Sequence, residues 1–339
     1  MSLLRFELRK LLLNKKTLVM FAVLFAVYGA VGFVSSYFVI GGSDNFQTYS
    51  ALAEPYEGSF NAEKAAEATA VYDALKQRYG NAVDRQIARD PEPIFEVHYA
   101  KYAETVNEYH YGSISDIEPY GVNVLREKLA ELEEAGQTQS FEYRKLADQL
   151  AIELSHVEPI FANTLLWVTL FNNWGRRVMQ FLMFIPLAFL IAPVFSREVE
   201  TGMNNLILSS RNGRGEIVTA KLISAAIAAS ALVGVYVFAT FVFGFLSLGT
   251  FAGWDAPLRS VSGFARSPLN LLNWQFAIVS AVWLLICGIF YAVIISFVSS
   301  LTKSVVAAAG SGLVVFFIDV VFGGMGETIM EMIKPVVAL

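Results

Sequence analysis

Residues 17–40 read TLVMFAVLFAVYGAVGFVSSYFVI, 24 positions without an Asp, Glu, Lys or Arg. At 1.5 Å of rise per residue such a helix is about 36 Å long, and the hydrocarbon core of a bilayer is about 30 Å thick. The stretch is expected to cross a membrane. It exceeds the apolar core of a cleaved signal peptide, about 7 to 15 residues, and lacks a small-residue cleavage site. Working outward, residues 178–195, 222–254, 274–300 and 304–323 are similarly apolar, with Asp319 inside the last. The composition agrees: 55% of the 339 residues are hydrophobic and 16% charged, outside the usual range of soluble domains. The sequence predicts an all-α integral membrane protein with five transmembrane helices.

Charge sets the expected orientation. Arg5, Arg9, Lys10, Lys15 and Lys16 crowd the first span, and basic residues stay on the cytoplasmic side. Alternation then divides the chain into a cytoplasmic interfacial helix (1–16), the first span (17–40), an extracytoplasmic insert (41–177), the second span (178–195), a cytoplasmic loop (196–221), three further spans (222–323) and an outer C-terminal segment (324–339). Residues 41–160 hold 22 acidic and 10 basic residues, a net −12 within a chain of formal charge −5. That acidic insert, and the lack of a clustered basic patch, argue against a nucleic-acid partner.

The insert carries helical periodicity. Leu125, Leu129 and Leu132 recur at i, i+4, i+7, followed by Leu146, Leu150, Leu154 and Val157, and residues 61–79 also read as helix. A large, mainly helical insert is predicted. Cys287 is the single cysteine, so no intramolecular disulfide forms. A disulfide-free outer domain suits a bacterial envelope protein. His98, His110 and His156 lie in the insert, but none has the spacing of a metal pair; no metal site is predicted. The nearby aromatics Tyr99, Tyr102, Tyr109 and Tyr111 are expected to pack as core or, alternatively, to touch a substrate.

Two segments face the cytoplasm in this scheme. In residues 1–16, Leu4, Leu8, Leu11 and Leu12 share one helical stripe and Arg5, Arg9 and Lys10 fall outside it, the pattern of an interfacial helix meeting anionic lipid or a protein partner. In residues 196–210, a helix would put Val199, Met203, Leu206 and Ile207 on an apolar face and Arg197, Glu198, Thr201, Asn204 and Asn205 opposite. Gly202 sits within it, and the turn at residues 211–215 precedes the third span.

Phe6-Glu7-Leu8-Arg9-Lys10 in a basic start, one span, a large insert, then a span ending Phe195-Ser196-Arg197-Glu198 with Gly202, Arg211 and Ala220-Lys221 after it resemble the permeases of type-2 ABC exporters. The resemblance covers the membrane portion and not the insert. It implies that residues 196–221 hold the coupling helix docking on a separate ATPase subunit, with Glu198 and Gly202 at the family's recurring Glu and Gly. It also implies two ATPase copies carrying ATP and Mg, a second permease copy, and six spans where five are visible here. A sixth would be missing or would begin at residues 335–339.

Gly-x-x-x-x-Gly-Lys-Ser/Thr is absent, so this chain is not expected to hydrolyse ATP or hold a cofactor. The predicted role is outward movement of an amphipathic or hydrophobic substrate, such as a peptide or lipid-like molecule, across the cytoplasmic membrane. The alternative is a membrane-anchored receptor or scaffold whose outer domain binds a ligand or envelope partner. Asp319, an ionisable residue at membrane depth, is either a path-lining group or an outer-end residue reaching water. Pro186 and Pro193 place a candidate kink above the coupling loop.

Overall fold

The computed structural model describes residues 3–40, 43–59, 121–175, 177–203, 215–261 and 269–314, with isolated positions between 64 and 99 and at 264 and 267. Helices α1 (Leu3–Leu12), α2 (Lys15–Ile40) and α3 (Ser43–Ala53) open the chain. After them come α4 (Val122–Glu134), α5 (Phe141–Ser155), α6 (Leu165–Gly175), α7 (Arg177–Ile191), α8 (Pro193–Glu200), α9 (Glu216–Leu248) and α10 (Asn273–Leu301). Among the described residues four stretches are long and apolar enough to cross a membrane: Lys15–Ser35, Phe181–Glu200, Glu216–Leu248 and Asn273–Leu301.

These boundaries differ from the sequence expectation where side chains at helix ends decide the outcome. The second apolar stretch opens with α7 at Arg177, next to the expected 178, and runs on to Glu200, because Pro193 occupies a first-turn position that tolerates its missing donor. The third starts at Glu216 and stops at Leu248. Gly249, at a φ of +71°, takes the left-handed conformation that ends a helix. The described part of the expected fifth span is Val305–Val314, an apolar helix; residues 315–339, Asp319 included, lie outside the described residues.

The chain divides into two compact units. One comprises Met1–Val31, Asn172–Val242 and Val279–Leu339. Its interior is built from Met183, Leu187, Ile191, Leu232, Tyr236 and Ile295, all buried, and small residues bring its helices close. Ala228 and Ala229 are fully buried on α9. A Cβ on Gly288 of α10 would stand 2.6 Å from Val233 Cγ2, so glycine permits that approach. Tyr28 and Tyr236 meet edge to face at 5.0 Å, and their hydroxyls donate to Leu182 O and Asn173 O, leaving no buried phenol unsatisfied at this contact.

The other unit comprises Gly32–Phe171 and Phe243–Ile278. Its helical hairpin α4–α5 buries Leu125, Leu129 and Leu146 against one another, with Leu132 and Leu150 packed alongside. Ser140 caps α5 by accepting from Tyr143 N at 3.0 Å, the expected device for an orphan amide of the first turn. The stripe expected to reach Val157 does not. Helix α5 ends at Ser155, and Leu154 and Val157 are both about half exposed.

A second core in this unit is aromatic. Phe95, Tyr99 and Phe161 meet with centroids 5.2 to 6.2 Å apart, and Tyr49 and Tyr56 pack on them. Strands β1 (Gly58–Ser59) and β2 (Ile160–Phe161), antiparallel with Gly58 opposite Phe161, fix Phe161 in this cluster. Burial pushes the Tyr49 phenol well above its usual range, and Glu57 adds to that, so it packs as a neutral ring. Tyr99 thus belongs to core. Tyr102, Tyr109, Tyr111, His98 and His110 lie outside the described residues.

Candidate functional site

Helix α1 contains a conflict within its own sequence. Glu7 follows Leu4 by three residues and precedes Leu11 by four, so it belongs to the apolar stripe of the helix. It is the only residue of α1 in the buried class, while Leu4, Leu8, Leu11 and Leu12 are half-buried and Arg5, Arg9 and Lys10 are exposed. A buried carboxylate needs a partner. The partners arrive from two distant segments.

Lys221, one turn into α9, is 1% exposed. Its Nζ donates to Glu198 Oε1 at 2.6 Å and to Val194 O at 2.7 Å, and lies 3.8 Å from Glu7 Oε2. Lys10 Nζ approaches the same carboxylates, at 3.4 Å from Glu198 Oε1 and 3.8 Å from Glu7 Oε2. Two carboxylates and two ammonium groups form a ring of zero net charge that joins α1, α8 and α9. The Phe195 ring covers Lys221 Nζ at 5.4 Å, supplying a further favourable face to the cation. The alternation satisfies a buried charge that would otherwise be strongly unfavourable.

The same junction contains a splice in the helix ladder. Ser299, fully buried on α10, donates its hydroxyl to Ala192 O at 2.6 Å. Its Oγ accepts from Ser196 N at 2.9 Å and from Phe195 N at 3.2 Å. Ser196 Oγ also donates to Ala192 O at 2.7 Å. Pro193 removes one backbone donor here, and a side chain from another helix supplies the bonding that the backbone lacks. The α7–α8 boundary is therefore bonded to α10 rather than left open to water.

Of the residues picked out in the sequence, the structure brings Lys10 and Glu198 together in the ring, with Glu7 and Lys221 from the quoted motifs, and leaves Arg5, Arg9, Arg197, Thr201 and Gly202 out of it. Arg197 is exposed on α8. Thr201 ends that helix, with its Oγ1 donating to Arg197 O at 2.9 Å, and Gly202 follows at a φ of +75°. Helix α8 ends at Glu200 before that left-handed glycine, a conformation that side chains with a Cβ resist, and Leu206 and Ile207 of the expected apolar face lie outside the described residues. Glu198 was expected on an outward polar face; its side chain is instead 13% exposed and turned to Lys221. Asn204 and Asn205 lie outside the described residues. Arg5 and Arg9 make no contact with the ring among the described residues.

Lys221 and Glu7 had a signal in the sequence. One is a cation at the foot of an apolar span, the other an acid inside an apolar stripe. Neither signal names the partner, because the pairing joins positions 7, 198 and 221 through tertiary structure. No group of three or more His, Cys, Asp or Glu residues suited to a metal occurs among the described residues.

Beside the ring, an open cavity of about 610 Å³ lies between the α1–α2 corner and the α7–α8 junction. Lys10, Lys15, Lys16 and Arg197 line it on the polar side; Leu11, Met20, Phe189 and Pro193 form its apolar walls.

A family model described as ABC-2 family transporter protein matches residues 1–337. No curated protein and no solved structure matches the chain.

Proposed function

The chain belongs to the ABC-2 transporter family and is a multi-pass permease subunit, and from that premise we propose that its α8 segment receives the movement of a separate ATPase and passes it to the membrane helices. The ATPase carries ATP and Mg; this chain supplies the path. The N-terminus and residues 196–221 face the cytoplasm, and an amphipathic or hydrophobic substrate leaves outward between two permease copies. Asp319 is a candidate lining group of that path. The family assignment takes precedence over a receptor or scaffold reading.

The observation that carries this proposal is the charge ring. A lever transmits force only if it is fixed to what it moves, and Glu198 ties α8 to the buried Lys221 of α9 while Ser299 ties it to α10. Glu198 thus acts as an anchor of the coupling segment. The contact face consists of the exposed Arg197, Glu200, Thr201 and Gly202, continued by Asn204 and Asn205. Rigid-body transmission of this kind needs two discrete arrangements of a packed element, and a bonded kink at Pro193 is a suitable pivot.

The test is purification of the tagged chain from its native membrane with assay of co-eluting Mg-ATP hydrolysis. Arg197→Glu with Glu200→Arg reverses the contact face without changing net charge or touching the ring. ATPase activity should accompany the native chain and be lost from the variant while its thermal unfolding stays unchanged. Retention of the ATPase by the folded variant, or its absence from the native preparation, contradicts the proposal.

A further inference from the structure

We propose that the cavity beside the charge ring is a binding site for an anionic phospholipid of the leaflet that surrounds the Lys15 end of α2. The inference needs only the membrane assignment, not the coupling role of α8.

Charge is the first argument. Lys10, Lys15, Lys16 and Arg197 face the cavity with Glu7 as the single acid. Glu7 and Lys10 are already engaged in the ring. Lys15, Lys16 and Arg197 have no ion-pair partner among the described residues. Three cations from two separate segments therefore converge on one space without a counter-charge, and an anion completes them.

Shape and depth choose the kind of anion. The walls include Leu11, Met20, Phe189 and Pro193, and Phe189 is more than half exposed. A free phosphate has nothing to place against such walls, whereas a phospholipid has an acyl chain. The cations stand at the start of the apolar stretch Lys15–Ser35, the depth at which phosphate headgroups meet hydrocarbon. The volume, about 610 Å³, lies within the ordinary range of small-molecule sites. Asn14 caps α2, accepting from Thr17 N at 2.8 Å, and its amide donates to Lys10 O at 2.8 Å. This fixes the corner that holds Lys10, Lys15 and Lys16 in one place. The arrangement joins a phosphate-binding rim to an acyl-binding wall.

The experiment titrates the detergent-purified chain, without any ATPase, with phosphatidylglycerol and with phosphatidylcholine, counting bound lipid by native mass spectrometry. The native chain should prefer phosphatidylglycerol, and Lys16→Gln with Arg197→Gln should weaken that binding by about tenfold. Arg5→Gln with Arg9→Gln removes the same charge from α1 outside the cavity and should leave binding within about twofold. Phe189→Asp tests the apolar wall separately and should also release the lipid, which keeps the proposal open to refutation if the first variant fails to fold. Equal losses from both double variants would mean diffuse surface attraction. Absence of a phosphatidylglycerol preference, or its full displacement by millimolar inorganic phosphate, would mean no lipid site. Any of these overturns the inference.

Discussion

Among the described residues each of the two units buries one cation, and the two solve the same problem differently. Lys221 is 1% exposed and shares two carboxylates, Glu198 and Glu7, with a second ammonium. Arg259, in the other unit, is 4% exposed. Its guanidinium donates to Glu153 Oε2 at 2.6 Å and Ser267 O at 3.0 Å, and reaches His156 Nδ1 at 3.2 Å. The guanidinium is a rigid planar fork, and its several donors point to fixed places. An ammonium is a point charge on a flexible stem and can exchange one acceptor for another. The Arg259 site is a clasp whose geometry is specified, and the Lys221 ring is a junction whose partners are interchangeable.

Removing the centre of the Lys221 ring is expected to have the largest effect. Lys221→Met keeps the volume but leaves Glu7 and Glu198, both little exposed, to share Lys10. The expected loss is about 3 kcal/mol by denaturant titration in detergent, at the lower end for breaking a buried pair because Lys10 still neutralises part of the charge. A loss below about 1 kcal/mol would mean that the ring does not fasten the three helices.

The Arg259 clasp gives the next largest effect. Arg259→Lys retains the charge but cannot reach Glu153, His156 and Ser267 together, and about 2 kcal/mol should be lost. Lys10→Arg in the Lys221 ring should change stability by less than about 0.5 kcal/mol, since Lys10 is partly solvated and its acceptors are shared. Equal sensitivity of the two sites to Lys–Arg exchange would erase the distinction drawn between them.

A loss smaller than that at the Arg259 clasp is expected at the splice. Ser299→Ala removes the acceptor of two amides and the donor to Ala192 O, and should cost about 1.5 kcal/mol. Ser300→Ala is its control: that residue is exposed and bonds only within its own helix, to Phe297 O. Hydrogen exchange at Phe195 and Ser196 would show whether the local bonding, rather than global stability, has changed.

The membrane helices were legible because their signal is local. Twenty or more uncharged residues in a row admit one outcome in lipid, and the helix 273–301 agrees with the expected 274–300 to a residue at each end. Periodicity found α4 for the same reason: Leu125 and Leu129 needed only their own helix to reveal a buried face. Helix ends were less legible. Gly249 and Gly202 stop helices inside runs that hydropathy or amphipathicity would continue, because a backbone conformation, not a side-chain preference, decides them. The functional junction was legible only in fragments. Glu198 was singled out, but its orientation depends on Lys221, 23 positions away, and on Glu7, nearly two hundred positions away. The cavity beside the turn at Asn14 has no sequence signature.

The central claim is that Glu7 and Glu198 serve one buried cation jointly, so that α1 and α8 are fastened to α9 through the same atom. A double-mutant cycle with Glu7→Gln and Glu198→Gln, measured by denaturant titration of the purified chain, addresses it directly. The account predicts that each single change is buffered by the remaining carboxylate and that the double loses at least about 1 kcal/mol more than the sum of the two. Losses that add to within about 0.5 kcal/mol would show that the two carboxylates act independently, and the shared junction would not exist.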